Sequence, residues 1–269
     1  MTGADPLLIA AVCSEQGKPA NNEDNYLMNG RFKSLGSENQ PMLEQCAPAL
    51  PGVFAVCDGM GGTSFGEVAA AMAVSRLARA AGRLCLGESD QILEQLSQIS
   101  AAIRQEAVRR KTHMGAAIVV AVACGRQIDI YNVGDCRAYL WSVDGLCQLS
   151  EDHTVEQIMQ KIGGNIPSAN HQLTQFLGMD EEEFSMEPYH SRVGLPERGK
   201  LLLCSDGLTD MISEDMIASC LSGAGSPKAQ ASALVDLALE AGGRDNVTAM
   251  VIAEMAEGNQ AGLRWERGG

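Results

Sequence analysis

Residues 115–149 read GAAIVVAVACGRQIDIYNVGDCRAYLWSVDGLCQL, and their pattern decides the fold class. The run over 115–124 is almost continuously apolar and rich in valine, as a central strand buried on both faces requires. Residues 127–133 and 137–143 predict two further strands, with Asp144-Gly145 as a hairpin turn and 146–149 as the return strand.

Outside this block the period changes. Ile92, Leu96, Ile99 and Ile103 are spaced four, three and four, which is one helical face. Before them, residues 67–86 are rich in alanine and carry Val68, Met72, Leu77 and Leu84. Residues 65–110 therefore predict an antiparallel helix pair covering one sheet face. Strands are expected over 7–13, 53–57, 200–204 and 247–255, a short helix over 154–162, and two more helices near 213–222 and 227–241. Residues 30–51, punctuated by Gly30, Gly36, Pro41, Pro48 and Pro51, read as a surface hairpin or insertion. Residues 163–199 read as a mobile flap. Hairpin strands in the middle and helix pairs at both ends make a layered α+β domain, mostly antiparallel with helices outside. No GxGxxG or Walker loop is present, which disfavours a nucleotide-binding fold. One domain is expected over 1–256, because no Pro/Ser-rich linker divides it, followed by a flexible polar tail over 257–269.

The chain has 269 residues, 45% of them hydrophobic, which is enough for one large core. Its net charge of −14 repels nucleic acid and anionic membranes, so neither is an expected partner. Nine cysteines, an odd number with no CxxC pair, argue against a disulfide framework or a zinc site. Cys13, Cys57, Cys124 and Cys204 lie in apolar runs and read as buried reduced thiols. Residues 7–13 are too short to span a bilayer and follow no basic region, so the expected location is the cytoplasm. The acidic run over 180–183 reads as a solvated loop, and His113, His171 and His190 as surface or loop residues.

Four aspartates sit where apolar strands break into turns: Asp58, Asp135, Asp206 and Asp245. Carboxylates without His or Cys beside them suit magnesium or manganese rather than zinc. Two such ions would clamp a phosphoryl group and activate water for in-line attack. Asp58 is the candidate bridge, because Gly59 beside it lets a backbone carbonyl approach a metal closely. Asp206 and Asp245 would complete the other shell, with Asn246 orienting the loop. Each motif alone reads most simply as a turn. Their order carries the specificity: NED (22–24), DGMGGTSFGE (58–67), VGDCRAYL (133–140), EDHT (151–154), SDGLTD (205–210) and RDNVTA (244–249).

Together these motifs resemble the metal-dependent protein phosphatase family of the protein phosphatase 2C type, in its bacterial form, over residues 12–251. The resemblance implies a four-layer αββα sandwich with a dimetal Mg²⁺ or Mn²⁺ site in the cleft between two sheets. It implies hydrolysis of phosphoserine and phosphothreonine in proteins, opposing a serine/threonine kinase, by a monomer. Asp58 resembles the bridging ligand, Gly59 the carbonyl ligand, and Asp206 and Asp245 the remaining direct ligands. Asp135 resembles the ligand of a third, weaker metal shared with Asp206, and Glu23 and Asp24 resemble residues that hold metal-bound water. The segment after Asp152-His153-Thr154 resembles the flap that shapes substrate access.

The sequence also departs from the family pattern. Pro19, with Lys18 beside it, stands where the family has a phosphate-gripping arginine. Lys18 is then the candidate for the phosphate, as a point charge without arginine's bidentate fork. Met60 follows Asp58-Gly59 where eukaryotic members have histidine, so the leaving group's proton would come from a metal-bound water or His153. His153 reads either as that acid or as a turn residue that caps the next helix together with Thr154. Gly115, Ala116 and Ala117 replace Gly-Thr-Thr, and Cys136 replaces a serine. Two rival readings remain: a regulatory binding module of the same fold with weak catalysis, and a phosphatase for small phosphate esters.

Overall fold

The meander of residues 115–149 forms, but it is divided between two sheets. The computed structural model describes residues 7–36, 42–46, 52–60, 65–84, 89–164, 172–180 and 185–255. One sheet holds β2 (Asn25–Met28), β4 (Gly52–Met60), β5 (Gly115–Cys124), β6 (Gln127–Val133) and β9 (Tyr189–Gly194), in the order β2-β4-β5-β6-β9. The other holds β1 (Leu8–Glu15), β3 (Met42–Cys46), β7 (Arg137–Ser142), β8 (Gly145–Gln148), β10 (Lys200–Cys204) and β11 (Val247–Glu254), in the order β3-β1-β11-β10-β7-β8. Every strand pair among the described residues is antiparallel. The chain changes sheet between β6 and β7, at residues 134–136.

The helices are α1 (Gly66–Ala80), α2 (Ser89–Arg110), α3 (Val155–Lys161), α4 (Asp206–Thr209), α5 (Glu214–Ser222) and α6 (Pro227–Glu240). The predicted stripe Ile92, Leu96, Ile99 and Ile103 is buried against the first sheet together with Val68, Val74 and Leu77 of α1. Leu234, Val235 and Ala238 of α6 pack with Ile217 and Leu221 of α5 on the second sheet. The result is an αββα sandwich. Each fully buried aliphatic side chain contributes about 1.5–3 kcal/mol, so the three packed interfaces between the four layers hold it together.

Strand parity explains where polar groups can gather. Val53, Ala55 and Cys57 of β4 face the helices, whereas Phe54 and Val56 face the other sheet. Asp58 and Met60 continue that second series toward the gap between the sheets. Leu8, Ala10 and Val12 of β1, Leu201 and Leu203 of β10, and Met250 and Ile252 of β11 fill the same gap. Their series run on into Ser14, Ser205 and Thr248. The inter-sheet layer thus turns from apolar to polar at one end.

Several expectations are corrected. Residues 30–51 contain an edge strand, β3, whose backbone pairs with β1. Residues 163–199 are not all flap, because β9 pairs with β6; its alternately exposed residues gave no buried-strand signal. Strand β4 continues past Cys57, so Asp58 lies within a paired strand, opposite Ala117. The hairpin turn lies one residue earlier, at 143 and 144, with Ser142 paired to Gly145. Cys124 ends β5 and is exposed, whereas Cys13, Cys57 and Cys204 are buried as expected. Among the described residues no helix is long and apolar enough to cross a membrane. The tail over 257–269, His171 and residues 181–183 of the acidic run lie outside the described residues.

Candidate functional site

The polar end of the inter-sheet gap opens into a cleft of about 730 Å³. Asp58, Asp135, Asp206, Asp245, Glu23 and Gly59 all line it. They come from β4, the crossover between the sheets, the first residue of α4, the turn before β11, and the loop before β2. Residues up to 222 positions apart are therefore brought to one place by folding (Glu23 to Asp245).

Two loops are tied together beside the cleft. The Asn246 Oδ1 accepts from the Glu23 N–H at 2.7 Å, and its Nδ2 donates to the carbonyls of Gln16 (2.7 Å) and Asn21 (2.9 Å). All three bonds orient the loop that carries Glu23. Gly59 is held against neighbouring backbone: a Cβ there would meet the Gly66 carbonyl oxygen at 2.1 Å and that of Glu23 at 2.8 Å. No other residue fits.

Burial and like charges govern the carboxylates. Burial pushes Asp58 well above the usual range, aided by the charges of Asp24, Asp206 and Asp135. Asp206 is raised in the same way by burial and then by Asp135. Asp58 and Asp206 act on each other, as two neighbouring buried carboxyls do. Burial, with Glu67, Asp245 and Asp24 behind it, lifts Glu23 to about 7. Asp135 rises to about 6, chiefly by burial.

The donor set fits a hard divalent cation. Its side chains offer only oxygen, and Asp206 Oδ1 is buried without a hydrogen-bond partner. The carboxylates line a common cleft rather than closing on one point: among the described residues no three His, Cys, Asp or Glu side chains form a ready cage.

Three other predicted residues are placed differently. Asp24 does not line the cleft; it is 1% exposed in a buried polar network, where Ser205 Oγ donates to its Oδ2 at 2.7 Å. Lys18 is exposed and lines a separate recess with Glu15, Leu239 and Gly243. The cause is the turn before it: Gly17 has φ +64°, and the Lys18 N–H donates to the Gly243 carbonyl at 2.9 Å. Pro19, not Lys18, reaches the cleft. Among the described lining residues there is no lysine or arginine. His153 is 7% exposed and outside the cleft lining. Its Nδ1 accepts from the Gly134 N–H at 3.2 Å, and burial lowers its pKa, so it is a neutral imidazole beside the Asp135 turn. Thr154, not His153, caps α3, accepting from the Gln157 N–H.

Some contributors went unread in the sequence. Glu67 stands beside Glu23 with its Oε2 buried and unpartnered. It closes the DGMGGTSFGE motif, which was the available signal. Arg137 grips Asp152 through Nε and Nη2, at 2.9 and 2.5 Å, and so fixes the loop that carries His153. Gln172, Leu173 and Phe176 form one cleft wall.

A family model described as Protein phosphatase 2C matches residues 37–234. The chain belongs to the protein phosphatase 2C family. The serine/threonine protein phosphatase PstP of Mycobacterium tuberculosis (strain H37Rv) is 30% identical over 222 residues, which are 76% of this chain and 40% of PstP. The chain thus spans less than half the length of that relative. The serine/threonine phosphatase stp of Listeria welshimeri is 30% identical over 247 residues, 86% of this chain and 89% of the relative. Among solved structures, the catalytic domain of PstP in complex with two manganese ions matches with a TM-score of 0.73 and 27% identity, over 93% of this chain and 99% of that one.

Proposed function

We propose that this chain is a Mg²⁺- or Mn²⁺-dependent protein-serine/threonine phosphatase. The observation that carries the reading is the gathering of Asp58, Asp135, Asp206, Asp245 and Glu23 in one inter-sheet cleft, with Asp206 Oδ1 left unpaired. Asp58 would lie between two ions, Gly59 would offer its carbonyl, and Asp206 and Asp245 would complete the direct ligands. Asp135, with Asp206, would hold a third ion. Glu23 would accept hydrogen bonds from coordinated water. Ions held there would supply polarisation of the phosphoryl oxygens and activation of water for attack on phosphorus.

The protein's own residues do the rest. Asn246 holds the Glu23 loop in register, and Arg137 with Asp152 holds the His153 loop. His153 is a positioning residue in this reading, because it lies outside the cleft lining and holds the Gly134 N–H through its Nδ1. The departing serine or threonine oxygen therefore takes its proton from water. Asp24, outside the cleft lining, would support the site from the buried side, where it accepts from Ser205 Oγ. With no cationic side chain among the described lining residues, phosphate affinity rests on the metal ions. The same reading makes phosphorylated proteins the substrates, a serine/threonine kinase the opposing enzyme, the cytoplasm the compartment, a monomer the working form, and residues 1–256 one catalytic domain.

The test is hydrolysis of p-nitrophenyl phosphate and of a phosphothreonine peptide with added Mn²⁺. Turnover that is lost in Asp206→Ala is expected. Absence of turnover, or turnover untouched by that substitution, sinks the proposal. Tight Mn²⁺ binding without turnover would favour a regulatory module instead.

A further inference from the structure

Met60 and Phe176 line the carboxylate cleft and also border a second groove of about 640 Å³. Met114, Met179 and Val108 give that groove apolar walls. Val108 is 74% exposed although α2 buries its other face through Ile99 and Ile103, so helix packing does not account for it.

The walls are pinned. Leu177 and Ala116 exchange backbone hydrogen bonds of 2.9 and 3.0 Å, and the Gly178 N–H donates to Ser100 Oγ at 3.0 Å. A Cβ on Gly115 would come within 2.6 Å of the Phe176 ring, so that ring packs directly on β5. The groove is therefore preformed, and it is continuous with the cleft.

Distance along β4 sets what can reach it. Asp58 and Met60 are two apart on one strand, so their side chains leave the same face about 7 Å apart. An extended peptide advances at the same rate, so a side chain roughly two to three residues from a phosphorylated residue at Asp58 arrives at the groove. Its chemistry must suit methionine and valine walls. Arg104 borders the groove, but so does Asp180, whose carboxylate offsets its charge. The net charge of −14 also opposes an acidic neighbour.

We propose that this groove is a specificity subsite that takes a bulky apolar side chain flanking the phosphorylated residue of a protein substrate. The inference rests on reading the neighbouring cleft as a phosphatase centre. It is tested by steady-state kinetics on phosphothreonine peptides with Leu, Ala or Asp placed two or three residues to either side, beside p-nitrophenyl phosphate. The best Leu peptide should exceed its Asp counterpart about tenfold in kcat/KM. Val108→Asp changes an exposed position and should raise KM for the Leu peptide about tenfold, with kcat and the small-ester rate unchanged. A flat peptide panel beside normal small-ester turnover overturns the subsite alone, as does a Val108→Asp loss that is equal on ester and peptide. Wild-type failure on both overturns the phosphatase reading and the subsite with it.

Discussion

Stripped of divalent metal by a chelator, the protein should lose stability as pH rises. Three carboxyl groups carry the argument. Burial, above all, raises Asp24 and Asp135 from 3.8 to about 6, and Glu23 from 4.5 to about 7. Each binds its proton more tightly folded than unfolded. The stabilisation is complete below the unfolded values and is lost as pH climbs through the folded ones. Asp24 is 1% exposed and its shift of roughly two pKa units is worth about 3 kcal/mol. Asp135, 8% exposed, contributes a similar amount. Domains are stable by only about 5–15 kcal/mol, so neither contribution is minor. By about pH 5 roughly half of that is already lost, so between about pH 5 and pH 8 one such group gives up about 1.4 kcal/mol and, at about 2–4 °C of Tm per kcal/mol, should lower Tm by about 3–6 °C. Mn²⁺ should oppose the trend, since it needs the ionised carboxylates, and its stabilising increment should grow with pH. Asp135→Asn should flatten part of the fall in the chelated protein. Thermal denaturation across pH, with chelator or with Mn²⁺, reads all of this. A chelated Tm that stays level or rises with pH, or a Mn²⁺ increment equal at both ends, refutes the reasoning.

Asn246→Ala strips partners from the Glu23 N–H and the Gln16 and Asn21 carbonyls, so it should cost about 2–4 kcal/mol and weaken Mn²⁺ binding, checked by denaturant melts and calorimetric titration. Pro19→Arg places a guanidinium at the cleft and should lower KM for p-nitrophenyl phosphate about three- to tenfold, whereas an unchanged KM would show that this position does not reach the phosphate. Lys33 is 2% exposed and its charge favours ionised Asp24, so Lys33→Met should destabilise by about 3–5 kcal/mol. Protonation of Asp24 relieves that loss, so melts should show a smaller deficit at about pH 5 than at about pH 8.

Strands and helices with buried faces were legible because burial writes its period into the chain. The stripe Ile92, Leu96, Ile99 and Ile103 and the apolar run of β5 are the clearest cases. Strand β9, reading Tyr-His-Ser-Arg-Val-Gly, was not legible. Its packing comes from partners distant in sequence: His190 stacks on Tyr131 at 4.5 Å, and Arg192 bonds Asp129 at 2.6 and 2.9 Å. The split of the meander was equally hidden, since Gly134-Asp135-Cys136 looks like any tight turn. Only the sheet order shows that it joins two sheets. At the site, the motifs located the carboxylates but not their exposure. Glu23 and Asp24 are neighbours, yet one lines the cleft and the other is sealed behind it. The loop before β2 turns one toward the cleft and the other inward, and the sequence does not say which. Lys18 failed for a similar reason, because the positive φ of Gly17 turns it away.

The sealed residues give Asp24 a different meaning. Ser14 and Thr248 hydroxyls pair at 2.8 Å, the Asn22 Nδ2 donates to Ser14 Oγ at 3.2 Å, and the Thr248 N–H donates to Ser205 Oγ at 3.0 Å. Lys33 Nζ reaches Ser14 Oγ at 3.4 Å. This network lies where the apolar inter-sheet series of β1, β10 and β11 end, and it precedes Asp206 by one residue through Ser205. A hydrophobic layer there would be no harder to fold, but it could not favour charge on the neighbouring carboxylates. Buried hydroxyls and a buried ammonium lower Asp24 against the desolvation that raises it. The carboxylate end of the sandwich is thus backed by a fixed polar plug rather than by oil. Its position follows from strand parity alone, through Ser14, Ser205, Thr248 and Asp58 facing one gap.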